Sequence, residues 1–211
     1  MFIVLIVALI LSVVIHEMAH GYAAYWLGDP TAKLAGRLSP NPVVHMDMVG
    51  SFIIPGILIL TNAPFLFGWA KPVPYNPYNL TDQKWGEAKI AAAGPAANII
   101  LAIIFAGLIH AAPFVGLPDN FTSIAIQIIY LNLFLALFNL LPLPPLDGSK
   151  IIQPIIGLFS VNVMWKYQQF RLILEQNTFL AFFLIIFVVF YVLGSHLFTL
   201  TQFIARILLG M

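Results

Sequence analysis

The sequence predicts an all-α polytopic membrane protein, with about four transmembrane helices and one proline-rich re-entrant or β-hairpin-like segment; five or six spans is the alternative. Three observations predict it. Of 211 residues, 61% are hydrophobic and 8% charged, with a mean hydropathy of +0.98, which is too little polar surface to cover a soluble globule of this size. The apolar residues fall into runs of spanning length, separated by short stretches rich in proline, glycine and charge. The lysines and arginines collect at one end of those runs. A formal net charge of +1 without a basic stripe gives no ground for a nucleic-acid partner. There is no cysteine, so disulfides and thiolate ligands are excluded, and any metal must be held by His, Asp, Glu or Asn.

Residues 2–27 form the first helix-compatible run, stopped by Gly28-Asp29-Pro30. It has no basic leader region or small-residue cleavage site, so it reads as a retained membrane helix rather than a signal peptide. Residues 33–47 are polar, and Pro40 and Pro42 favour extended or turn structure there. Residues 49–67 have nearly enough apolar length to cross, but Pro55-Gly56 and Pro64 interrupt them, so they either span or enter and return. An aromatic, proline-rich loop follows, of interfacial composition. Residues 90–112 read as a second span whose Ala- and Gly-rich start lets a neighbour approach closely. A third span covers 121–141 and ends at a cluster of three prolines. Residues 161–176 read as an amphipathic helix lying at the interface, and 178–200 as the last span, followed by a tail with Arg206. One embedded domain is expected over 1–211, with a core at 1–150, an interfacial part at 151–177 and a C-terminal transmembrane part at 178–211.

Two arguments favour four spans. If 49–67 re-enters, every Lys and Arg except Arg206 shares one side, as the positive-inside rule prefers. If it spans, Lys33, Arg37 and Arg206 fall outside even in the better orientation. The second argument concerns depth. His16 and His20 lie toward the C-terminal end of the first helix, and Asp147 follows the C-terminal end of another. Four spans bring them to one level; five would separate them.

His16-Glu17-Met18-Ala19-His20 places two histidines four residues apart on one helical face, with a carboxylate beside them. Ionisable groups inside an apolar run are costly and mark function. A catalytic tetrahedral zinc takes three protein ligands, so one more is needed. Asp147 is the best candidate: Asp119 falls on the far side and Glu87 sits among other charges. Asp147-Gly148 also reads as a turn pair. The prolines before it favour the ligand, because irregular backbone is tolerated in the apolar layer only where it is buried or lines a wet cavity.

With these motifs in view, the chain resembles the site-2 protease family of intramembrane zinc metalloproteases. His16-Glu17-x-x-His20 pairs with a downstream string of Asn139, Pro142, Pro144, Leu146, Asp147 and Gly148, and Gly94-Pro95-x-x-Asn98 matches the family's middle core helix. Gly36-Arg37-Leu38, Asn41-Pro42, His45, Asp47 and Gly50, with Phe67-Gly68-Trp69-Ala70-Lys71-Pro72, resemble its compact bacterial and archaeal branch. No segment resembles a PDZ or CBS domain.

The resemblance implies one Zn2+ per chain held by His16, His20 and Asp147, Glu17 as catalytic base, and cleavage in or near a transmembrane helix of a protein substrate. It also implies a multi-pass protein of a prokaryotic plasma membrane with its site toward the cytoplasm. Asn98 has two readings, a donor to the oxyanion or unwound substrate backbone, or an asparagine bonded between helices. Asn139 is expected to orient the Asp147 loop. His45 is either a hydrogen-bonded loop histidine or a substrate-positioning, gating or metal-binding group. An extended edge over residues 47–52 could pair with unwound substrate as an added strand. Competing function classes are an ion or metal transporter, which leaves Glu17 unexplained, and an inactive membrane-binding homologue.

Overall fold

The computed structural model describes residues 2–62 and 68–210, and its regular secondary structure is all helical, with no strand among those residues. Seven helices set the architecture: α1 (Phe2–Trp26), α2 (Met48–Leu60), α3 (Gly86–Val115), α4 (Asp119–Asn139), α5 (Asp147–Phe159), α6 (Val161–Gln176) and α7 (Phe179–Leu209). Four of them, α1, α3, α4 and α7, are long and apolar enough to cross a bilayer. The protein is therefore an all-α polytopic membrane protein with the expected four spans.

α3 is the central post, packed by α1, α4 and α5, while α7 closes against α4. Small side chains let these helices approach. Ala102 and Ala106 of α3 meet Ile129 and Leu133 of α4 and Ala205 of α7, all buried. α3 runs through Pro95 and ends where Gly116 takes a left-handed conformation at φ 68°. The last span is longer than the sequence suggests: the helix continues through Arg206 to Leu209, with one wide π turn at Val188–Leu193.

α2 is 13 residues long in two parts, six in a π-helical turn and seven in an α-helix, or about 20 Å against the roughly 30 Å of a hydrocarbon core. It cannot cross. Moreover, Trp69 N–H donates to the Gly50 carbonyl at 3.2 Å and Ser51 Oγ to the Trp69 carbonyl at 3.1 Å, so the chain returns to the level it left. Glycine is required at that crossing, because a Cβ on Gly50 would lie 2.4 Å from the Trp69 ring. The segment is thus re-entrant, but its β-hairpin-like form is corrected. Asp47 caps a helix by accepting from Val49 and Gly50 N–H at 3.0 and 2.7 Å, which removes the extended edge expected over 47–52. Pro64 and Phe67, to which sequence reasoning also assigned parts of this segment, lie outside the described residues.

The joint after α1 is built on Asp29, fully buried. Its Oδ1 accepts from Thr31 N, Thr31 Oγ1 and Asn79 Nδ2, and its Oδ2 from Asn76 N at 2.7 Å. Burial alone would raise this carboxyl's pKa, but those donors outweigh it and hold it below the ordinary carboxylate range. A depressed folded-state pKa contributes stability that is fully present above the unfolded pKa, about 3.9, and lost as pH falls through the folded value. Asp29→Asn turns one acceptor into a donor facing Asn76 N–H. At neutral pH it should destabilise the protein by about 3 kcal/mol. Thermal unfolding in detergent should show the gap between wild type and variant narrowing below about pH 4.

Candidate metal centre

α1 and α3 carry the site side by side, and α5 supplies the third wall. His16 Nε2 and His20 Nε2 are 3.0 Å apart, and Asp147 Oδ2 lies 3.2 Å from the first and 3.4 Å from the second. A tetrahedral ion with bonds of about 2.0–2.1 Å needs ligand atoms about 3.3 Å apart. The three separations match that requirement.

Each histidine is fixed by its other ring nitrogen. His20 Nδ1 donates to the Ile90 carbonyl at 2.7 Å, and His16 Nδ1 donates to Asn98 Oδ1 at 2.6 Å. A carbonyl can only accept, so both Nε2 atoms are left as lone pairs aimed at Asp147 Oδ2. Among the described residues, that buried carboxylate oxygen has no hydrogen-bond partner. Three electron-pair donors facing one another repel unless a cation lies between them, so the residues fit a divalent metal. Room for it is kept by Gly94, where a Cβ would lie 2.5 Å from the His20 ring and 2.6 Å from the His16 ring.

Asp147 is delivered by the proline-rich turn after α4. Leu143 N–H bonds to Leu141 O and Leu146 N–H to Leu143 O, each at 2.8 Å, and α5 then starts at Asp147 itself. Gly148 presses on the Leu140 and Leu141 carbonyls so closely that no Cβ fits. The Asp-Gly pair therefore serves both purposes read from the sequence: glycine makes the turn possible and aspartate faces the histidines.

Glu17 follows His16 in the chain and lies within electrostatic reach of His20, and its Oε2 accepts from Val73 N–H at 3.1 Å. Val73 lies in an extended segment pinned along its length: Lys71 N–H donates to His45 O at 2.8 Å, and buried Arg37 donates through Nη2 to Lys71 O. Arg37 also lies within electrostatic reach of Glu17.

Asn98 is fully buried, with Oδ1 on His16 and Nδ2 donating to Asn132 Oδ1 at 2.8 Å. Asn132 in turn donates to Ser12 Oγ at 3.0 Å and Ile128 O at 2.9 Å. Of the two readings of Asn98, these bonds support the asparagine bonded between helices, with one of its two Nδ2 hydrogens directed at Asn132. Asn139 differs from expectation, as its Nδ2 donates to Leu135 O of its own helix at 2.9 Å. His45 is buried with Nε2 on Ser39 O at 2.9 Å, while its Nδ1 has no hydrogen-bond partner among the described residues. It joins the loop that carries Arg37 and Lys71, not the ligand cluster.

Asn132 and Ser12 were missed by sequence reasoning. The available signal was an asparagine in the middle of an otherwise apolar span, which is costly there unless bonded, and a serine one turn before His16. Asn98→Ala should lower zinc affinity by about 10–100-fold, because the His16 ring loses the acceptor that sets its tautomer. Competition titration against a chromophoric zinc chelator would measure this, with the helical content unchanged.

A membrane-embedded His-His-Asp cluster beside a glutamate defines a class, that of membrane metallohydrolases. Comparison with known proteins narrows it. The family model described as Peptidase family M50 matches residues 4–128. "Putative zinc metalloprotease YwhC" of Bacillus subtilis (strain 168) is 45% identical over 161 residues, covering 72% of this chain and 68% of that protein. "Putative zinc metalloprotease Rip2" of Mycolicibacterium smegmatis is 29% identical over 153 residues, 72% of this chain and 57% of that one. "Putative zinc metalloprotease MJ0611" of Methanocaldococcus jannaschii is 29% identical over 176 residues, 78% of this chain and 82% of that one. No solved structure matches the chain significantly. The chain belongs to Peptidase family M50, the site-2 proteases, and is a zinc metalloendopeptidase of the membrane.

Proposed function

We propose that the protein hydrolyses a peptide bond in or near a transmembrane helix of a membrane-protein substrate, as a step of regulated intramembrane proteolysis. The supporting observation is depth. His20 and His16 lie six and ten residues inside the end of α1 at Trp26, about 9 and 15 Å along the helix axis, within the apolar layer. His16, His20 and Asp147 are the proposed ligands of one zinc ion. When bound, zinc supplies Lewis-acid activation of water and of the scissile carbonyl. Val73 N–H holds one oxygen of Glu17, and the other takes the proton of the attacking water and hands it to the leaving amine. Asn98 holds the His16 ring. The whole chain acts as one embedded unit.

Eight of the nine lysines and arginines lie in segments at the site's end of the spans, and Arg206 stands alone near the other end. By the positive-inside rule this end faces the cytoplasm, and the relatives' hosts favour a prokaryotic plasma membrane. Intramembrane His and Asp groups also mark ion pathways. One experiment separates the two readings: proteoliposomes carrying the protein and a single-span substrate, followed for cleavage and for zinc and proton flux. Cleavage that stops on chelation and returns with zinc supports the proposal. Flux without cleavage overturns it.

A further inference from the structure

A second polar recess opens along α5, the helix that begins at Asp147. A cavity of about 770 Å3 lies between the start of α3, the inner sides of α5 and α6, and the turn at Pro77–Asn79. Its wall carries three cations, Lys84, Lys150 and Arg171, against one carboxylate, Glu87. Glu87 is taken by Arg171 at 3.3 Å. Among the described residues, no carboxylate lies within ion-pair distance of Lys84 or Lys150. They rest instead near the faces of Trp85 and Tyr75. Burial opposes the Lys150 charge, but Tyr75, Glu175 and Asp147 around it raise its pKa, so it stays a cation.

Two polar atoms in the wall make no hydrogen bond among the described residues. One is the Nε of Arg171, which is 6% exposed and has Glu175 Oε1 at ion-pair distance, 3.8 Å, and the other is the buried Oε1 of Gln153. Such groups are costly when buried unmet. A phosphate offers acceptors to Arg171 and both lysines, and a hydroxylated headgroup offers a donor to Gln153. The rim is apolar and open: Tyr78 is 89%, Val161 57% and Leu172 43% exposed. α6 carries exposed Trp165 and follows α5 at the level where the spans end, which is the position of an interfacial helix. A soluble acidic peptide would meet that apolar rim without using it, whereas a lipid uses both parts.

We propose that this cavity binds the phosphate of an anionic membrane lipid with a hydroxylated headgroup, such as phosphatidylglycerol, with its acyl chains against the rim of α6. Lys150 is one turn along α5 from Asp147, so the lipid braces the helix that carries the third ligand.

The test uses the full-length protein in detergent, incubated with equal phosphatidylglycerol and phosphatidylcholine, and reads lipid retention by native mass spectrometry. The result expected is one phosphatidylglycerol retained per chain in preference to phosphatidylcholine, with Lys84 and Lys150 protected from amine acylation. Lys84→Gln with Lys150→Gln should lower that retention by about 30-fold, while the arginine pair of variants preserves it. Because protection is read on the wild type, a variant that fails to fold does not blunt the test. Equal retention of both lipids overturns the proposal. So does protection by inorganic phosphate or an acidic peptide where phosphatidylglycerol gives none. The readout is lipid retention and stands apart from proteolysis.

Discussion

Glu17→Gln should leave zinc at one ion per chain and lower the cleavage rate by about two to four orders of magnitude. The substitution is nearly isosteric, and Glu17 does not belong to the group of three facing ligand atoms. The metal therefore stays. What is lost is the group that accepts the proton of the attacking water, and an amide cannot replace it. Val73 N–H donates to Glu17 Oε2, and the glutamine carbonyl can accept the same bond, so the extended segment should keep its place. The expected signature is a fall in turnover with little change in substrate affinity, read by steady-state kinetics beside metal analysis. A parallel loss of zinc would move Glu17 into the ligand set.

Asp147→Ala should do the opposite: zinc is lost first and activity with it. Removing a partner that merely orients a ligand costs about 10–100-fold in metal affinity, and removing a ligand itself should exceed that. The remaining His16 and His20 are 3.0 Å apart with both Nε2 lone pairs facing one space. Two neutral nitrogens provide no charge to balance a divalent ion in a buried site. Asp147 also opens α5, but alanine is compatible with that position, and the close approach to the Leu140 and Leu141 backbone belongs to Gly148. The variant should keep its helical content while its zinc occupancy falls to background. Full occupancy would remove Asp147 as the third ligand.

Much of this was legible from residue order because membrane spans and metal sites obey strict rules. Four runs of spanning length and one-sided positive charge give the topology, and a four-residue spacing on a helix gives the histidine pair. The proline string before Asp147 pointed to irregular backbone at the right depth. Local pattern was weaker where tertiary contacts decide. Pro-rich sequence and the family likeness suggested an extended edge over 47–52, but the Asp47 cap and the Trp69 ring on Gly50 hold a short helix instead. Asn98 showed the same limit. Its spacing from Gly94 located it beside the site, yet only the neighbouring Asn132 and Ser12, from two other helices, show the chain of bonds that orients its Oδ1 toward His16. Arg37 counted in the sequence only toward the positive side and the Gly36-Arg37-Leu38 string, and it is a buried clamp on the segment that holds Glu17.

The most direct measurement is the position of the cut. A single-span substrate reconstituted with purified protein, its products mapped by mass spectrometry, reports depth, chemistry and metal together when run beside Glu17→Gln. Cleavage inside the apolar segment near its cytoplasmic end, present in the zinc-loaded wild type and absent in the zinc-loaded variant, is the result predicted. Cleavage confined to soluble loops, or unchanged in Glu17→Gln, would contradict it.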